Sequence, residues 1–115
     1  METYPEKLGK TTIDPSVLTS IAKLTTLSVD GVSKMSTGPH SVDSLIKKNY
    51  SDGVKIDVEN NTVYIDLYLV LKADTDLMKT SRIIQKKVSR AVTEMVGMEI
   101  GHVNVHIEDI DYQND

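Results

Sequence analysis

Between Val54 and Leu71 the chain alternates apolar and polar residues almost without interruption, and the alternation folds back on itself. Val54, Ile56 and Val58 are interleaved with Lys55, Asp57 and Glu59. After Asn60-Asn61, Val63, Ile65, Leu67, Leu69 and Leu71 are interleaved with Tyr64, Asp66, Tyr68, Val70 and Lys72, and only Val70 departs from the polar set. A period of two puts successive side chains on opposite faces of a strand, so the stretch calls for a sheet with one dry and one wet face. Asn tolerates positive φ, which a two-residue hairpin turn requires at its centre. A turn at Asn60-Asn61 then sets Val58 against Val63, Ile56 against Ile65 and Val54 against Leu67. On the wet face Lys55 meets Asp66, an opposite-charge pair. Neither face offers reactive chemistry.

A length of 115 residues suits one domain with one core. The chain has no cysteine, which removes disulfides, thiolate nucleophiles, iron–sulfur ligands and Cys-based zinc sites. No apolar run approaches the roughly 20 residues of a spanning helix, and the segment Met1 to Pro5 lacks a hydrophobic signal, so a cytoplasmic location is expected. Residues 1–8 read as a flexible polar arm and residues 9–112 as a single domain.

Along that domain, residues 9–13 allow a short edge strand. Asp14-Pro15 reads as a helix start, since the carboxylate accepts from free N–H groups where Pro needs no acceptor. The helix is expected to run to about Ser28, burying Val17, Leu18, Ile21 and Leu24. Residues 31–36 read as a strand. Gly38-Pro39 signals a turn, and Ser41 can cap a short helix through Leu45 and Ile46. After the hairpin, Asp74 or Thr75 is the expected cap of a second helix. Its stripe Leu77, Ile84, Val88, Ala91, Val92 and Met95 recurs at helical spacing, and Gly97 is the stop. Val103, Val105 and Ile107 make a last strand with a bulge near Glu108-Asp109. The strand 62–72, helix 76–96 and strand 102–110 form a βαβ unit, so those strands should be parallel. The expected fold is α+β: a two-layer sandwich, with a mixed sheet of about four strands and two main helices on one face.

The formal charge of −4 argues mildly against a dedicated nucleic-acid binder, but its distribution is polarised. From Asp76 to Val96 five bases stand against two acids, a local +3 that leaves −7 for the rest. Lys79, Arg82, Lys86 and Arg90 fall within an arc of roughly 80° opposite the apolar stripe. The plain reading is a solvated helix face. Ordinary solvated faces mix signs to gain i,i+4 pairs, however, and this one has no acid between Asp76 and Glu94. These four residues are therefore the candidate partner-binding set. An acidic or phosphate-rich partner, or another subunit's acidic face, would relieve their repulsion.

His102 and His106 tempt as metal ligands. Four residues along a strand separate them by about 13 Å, too far for one ion whose bonds to imidazole are about 2.0–2.1 Å. The reading is surface histidines on the wet face, and no metal or cofactor is expected. No nucleophile elbow, zinc-protease helix, phosphate loop or dinucleotide motif occurs, so no catalytic residue is assigned. Glu108, Asp109 and Asp111 read as a solubilising acidic cluster. A small nucleic-acid-associated domain of KH type is the rival reading, but its GXXG loop is missing. Asp57, Glu59, Asp66 and Glu108 would also repel phosphate from the wet face beside Tyr64 and Tyr68.

Several segments in order carry a family likeness: Ile21-Ala22, Val29-Asp30-Gly31-Val32, Met35-Ser36, Gly53-Val54-Lys55-Ile56 and the alternating strand Val63 to Val70. They continue with Ile84-Gln85-Lys86-Lys87-Val88 and with Glu94-Met95-Val96-Gly97-Met98 leading to Val103-Asn104-Val105-His106-Ile107. Over about residues 9–112 the chain resembles the alkaline shock protein family of Gram-positive and related bacteria, small cytoplasmic proteins linked to the envelope stress response. One departure is Lys72-Ala73-Asp74, where many relatives carry Tyr-Gly. The resemblance implies a non-enzymatic, stress-linked interaction or scaffold domain without a cofactor. Such a domain would self-associate and dock onto other proteins, in some members beside the membrane through a membrane-anchored partner.

Overall fold

Asn60 and Asn61 both take positive φ, 52° and 64°, and close the expected two-residue hairpin. The computed structural model of the chain describes residues 13–37 and 50–112. Its elements are α1 (Pro15–Leu27), β1 (Val32–Met35), β2 (Tyr50–Ser51), β3 (Val54–Glu59), β4 (Thr62–Lys72), α2 (Leu77–Met95) and β5 (Glu99–Asp111). The hairpin register is the expected one: Val58 opposes Val63, Ile56 opposes Ile65, and Val54 opposes Leu67. The expected arm at 1–8, all but the last residue of the edge strand at 9–13, the turn at Gly38-Pro39 and the short helix after Ser41 lie outside the described residues. Ile13 is described and belongs to no strand.

β4 is the spine of a mixed, five-stranded sheet. β5 runs parallel along one edge from Thr62 to Lys72. The other edge is shared by β3, antiparallel over Thr62 to Leu67, and β1, antiparallel over Leu69 to Leu71. The handover falls at Tyr68, whose carbonyl accepts from the Ser36 N–H while its own N–H donates to Gly53 O, both at 2.8 Å. The fifth strand, β2, pairs with β3 and spans two residues, too short to leave an alternation in the sequence. α1 and α2 pack against each other and against one side of the sheet, completing an α+β two-layer sandwich.

The core joins Val54, Ile56, Val63, Ile65, Leu67, Leu69, Leu71 and Val103 from the sheet to Leu18, Ala22, Ile84, Val88 and Val92 from the helices. α1 is rotated from its expected face, whereas α2 keeps its expected face and loses only the two ends of its stripe. α1 turns Leu18, Ala22 and Thr26 inward and leaves Val17 45% and Leu24 66% exposed. Small Ala22 and Thr26 let the helix approach the sheet closely, and the Thr26 hydroxyl is satisfied by donating to Ala22 O at 2.7 Å. α2 buries Thr80, Ile84, Val88 and Val92, while Leu77 and Met95 face out. Its cap is Asp76 rather than Asp74 or Thr75, because only the Asp76 carboxylate accepts from the Lys79 N–H, at 3.1 Å. Asp74 instead takes φ 67° in the turn leaving β4.

Asp14 caps α1 as expected, accepting from the Ser16 N–H at 3.0 Å, and that bond holds its carboxyl below the ordinary range. Val58 lies at the hairpin tip and is 48% exposed, so the dry face ends before it. The bulge expected near Glu108 is present as a register shift between Ile107 and Asp109. A second shift skips Gly101, where any Cβ would run into the Tyr64 ring.

Candidate interaction surfaces

α2 buries one residue in four along Thr80, Ile84, Val88 and Val92, so its opposite side is turned to solvent. Lys79, Arg82, Lys86 and Arg90 all lie there, exposed, and Lys87 is exposed with them. Arg90 Nε meets Glu94 Oε2 at 3.2 Å, an open i,i+4 pair of small worth. Among the described residues no ion pair engages Lys79, Arg82 or Lys86. Three of the four candidate cations are thus free to meet an anionic surface, and the fourth is lightly held.

At the C-terminal end of the same helix, Met95 is 71% exposed and joins Val17, Ile21 and Leu24 of α1 around an open groove of about 340 Å³. Ser16, Ser20 and Thr25 complete its lining, so it is apolar and uncharged. In the sequence Val17, Leu24 and Met95 belong to apolar stripes that call for burial, so no local pattern marks this groove. Their wide apolar arc is what a two-sided helix looks like before its rotation is known.

The other face of the sheet gathers a polar cluster around Asp66. His106 Nε2 donates to Asp66 Oδ1 at 2.9 Å, and Asn104 Nδ2 donates to the same oxygen at 3.2 Å. His102 Nε2 lies 3.7 Å from Oδ2. Tyr68 stacks on His106 with ring centroids 4.4 Å apart, and Tyr64 meets His102 edge-on at 5.2 Å. The parallel register produces this order by placing Tyr64, Asp66 and Tyr68 beside His102, Asn104 and His106. Lys55 does sit opposite Asp66, as expected, but its ammonium pairs with Asp57 at 3.6 Å because the histidines occupy the Asp66 carboxylate. The matching x-alternation of the two strands was the signal available in the sequence; what it lacked was the offset between them.

Burial pushes the Asp66 carboxyl up, but bonds from His106 and Asn104 and the nearby imidazoles outweigh it, so the group titrates below the ordinary carboxylate range. Tyr68 moves the other way, raised first by burial and then by Asp66 and Glu108. A carboxyl lowered in the folded state stabilises the fold above its unfolded value, about 3.9, and loses that contribution as pH falls toward the folded value. Asp66→Asn should therefore flatten the acid limb of the stability profile below about pH 4. Urea midpoints from pH 3 to 7 measure this; parallel acid limbs for the two proteins would refute it.

The acidic cluster near the C-terminus does not converge. Asp111 Oδ2 accepts from the Ser33 hydroxyl at 2.7 Å, and Asp109 caps its own neighbour's N–H at 2.8 Å. Glu108 stands exposed on the strand. Among the described residues no helix is long and apolar enough to cross a membrane.

Residues 3–112 match the profile of the alkaline shock protein 23 family, described as having a cell envelope-related function. The chain belongs to this family. Among its relatives, YqhY of Bacillus subtilis strain 168 is 31% identical over 109 residues, covering 91% of this chain and 79% of that protein. Spy1535 of Streptococcus pyogenes serotype M6 is 33% identical over 106 residues, covering 91% and 81%. Both carry names marked as uncharacterized, so the family description is what they share with this chain. Among solved structures, MamM-CTD superposes with a TM-score of 0.52 at 11% identity, covering 84% of this chain and 99% of that one. At that identity the likeness speaks for the fold alone.

Proposed function

We propose that this member of the alkaline shock protein family is a non-enzymatic, stress-linked interaction module of the cell envelope. It self-associates in the cytoplasm and docks onto a membrane-anchored protein through the outer face of α2. The observation that carries this reading is the exposed cationic set Lys79, Arg82, Lys86 and Arg90, with Glu94 as its one acidic neighbour. Four like charges on one helix face destabilise the free chain slightly, and an acidic partner turns that cost into complementarity and a faster encounter. The neutral groove around Met95 adds apolar surface to the same helix layer. Family membership supports the envelope setting.

Reversing Arg82, Lys86 and Arg90 together to Glu should abolish recruitment to the membrane fraction. Because all three side chains are exposed, the unfolding free energy should move by no more than about 1 kcal/mol. Co-sedimentation with native membranes, beside thermal unfolding of both proteins, reads the two quantities. Undiminished recruitment of a folded variant would remove the helix face from the interaction. Nucleic acid remains the competing ligand for the same cations, and steeply salt-dependent RNA or DNA binding by the native chain would favour it. The carboxylates of Asp57, Glu59 and Asp66 beside Tyr64 repel phosphate from the open sheet face, which leaves the α2 cations, among the described residues, as the one surface for such a ligand.

A further inference from the structure

β5 has one edge that nothing in the described structure pairs. Backbone N–H and C=O groups of successive strand residues point to alternate sides, and three bonds fix which side is which. Glu99 N–H donates to Asn61 O, and Asp111 O accepts from Ala73 N–H, so both residues turn their backbone toward β4. Counting inward from each end through the bulges at Gly101 and Glu108 turns His102, Asn104 and His106 toward β4 as well. Val103, Val105 and Ile107 consequently face away from it. Independent support comes from Gln85 of α2, whose amide donates to Val103 O at 2.9 Å and so finds that carbonyl outside the β4 ladder. Among the described residues no strand other than β4 pairs with β5. An exposed strand edge without Pro or Lys is a template for another strand.

We infer that β5 is the seam of a symmetric dimer, in which it pairs antiparallel with β5 of a second copy about a two-fold axis at Val105. This rests on the reading of the chain as self-associating and names the surface that does it. The bulges decide the register. They bound a regular segment whose outward residues are Val103, Val105 and Ile107, and an antiparallel pairing that uses all three must centre on the middle one. Val105 then faces its own copy and Val103 faces Ile107.

The side chains agree with this register on both faces. On the core side every pair is apolar, so the two cores become continuous across the seam. On the open side Asn104 lies opposite His106, and His102 comes toward Glu108, an imidazole meeting a carboxylate. No like charges are brought together within the regular segment. A second copy of this chain therefore suits the edge in backbone, shape and charge.

The chain contains no cysteine, so one introduced thiol reports one contact. Directly opposed residues in a hydrogen-bonded antiparallel pair lie about 5.5 Å apart at Cα, within reach of a disulfide. Val105→Cys should convert nearly all monomer to covalent dimer under mild oxidation, while the exposed control Met95→Cys stays largely monomeric. Val105→Pro removes an outward N–H and leaves the inward β4–β5 bonds in place, so it should weaken dimerisation about tenfold or more. Analytical ultracentrifugation, with circular dichroism to confirm the fold, measures it. If the native chain dimerises but Val105→Cys does not crosslink and a folded Val105→Pro associates normally, the seam is wrong and self-association stands. A native chain that stays monomeric at every concentration tested would overturn both.

Discussion

Replacing Gly53 with alanine is expected to cost about 3 kcal/mol or more of folding stability, whereas Gly97→Ala should cost only about 1 kcal/mol. Both glycines hold φ in the left-handed region, at 81° and 77°, so both substitutions strain the backbone. The difference lies in what a side chain would meet. A Cβ on Gly97 has no heavy atom within 4 Å, but on Gly53 it would lie 2.5 Å from Ser36 O and 2.7 Å from Tyr68 O. Those carbonyls belong to the junction where β1 hands its place beside β4 to β3, and the Tyr68 carbonyl cannot withdraw without breaking its bond from the Ser36 N–H. Urea denaturation of the two variants isolates the close approach from the φ strain. Equal losses would mean that the junction yields to the added methyl at no cost.

Leu67→Ala should lower the unfolding free energy by about 2–5 kcal/mol, the range for emptying a closed aliphatic site. Leu67 is fully buried at the centre of β4, opposite Val54 of β3 on one side and Val105 of β5 on the other. Collapse into the vacated space would require three strands to move together. Against a total stability of about 5–15 kcal/mol for such a domain, this loss removes a large share of the folded margin. Val58→Ala offers the contrast within the same hairpin. Its side chain is half exposed at the tip, and its loss should stay within about 1 kcal/mol. A Leu67 variant as stable as the Val58 variant would contradict the placement of the core.

These contrasts mark where the sequence was readable. The hairpin register followed from alternation and from two adjacent asparagines, because a slip of one residue would turn every apolar side chain of β4 to solvent. Helix positions were readable for a related reason: Asp14-Pro15 and Gly97 are local signals that need no tertiary context. The rotation of α1 was not. Val17, Leu18, Ile21 and Leu24 span too wide an arc to choose a buried side, and the choice was made by Ala22 and Thr26, which hydropathy ranks low. In α2 the apolar stripe already marked the buried side, and Thr80 joins Ile84, Val88 and Val92 on it.

The candidate surfaces divide along that line. The cations of α2 form a face on one helix, so their spacing alone placed them together on the solvent side. The Asp66 cluster depends on which residues of β5 stand beside which residues of β4, and that offset is set by two bulges. The bulge at Glu108 showed itself through a change of parity in the sequence. The one at Gly101 did not, since a glycine between helix and strand reads equally well as a connector. Likewise the edge of β5 that no described strand pairs is a property of the assembled sheet and has no signature in any one segment.

The central position of β4 also bears on how such a chain leaves the ribosome. Its two long neighbours come from opposite directions in sequence, β3 just before it and β5 only after the whole of α2. Until that last strand has emerged, one side of the most apolar segment in the molecule stays uncovered, whatever the hairpin has already achieved. Translation therefore carries that segment with one edge unpaired through the synthesis of about forty residues (~5–20 per second), an interval set by the order of the strands and by nothing in their composition.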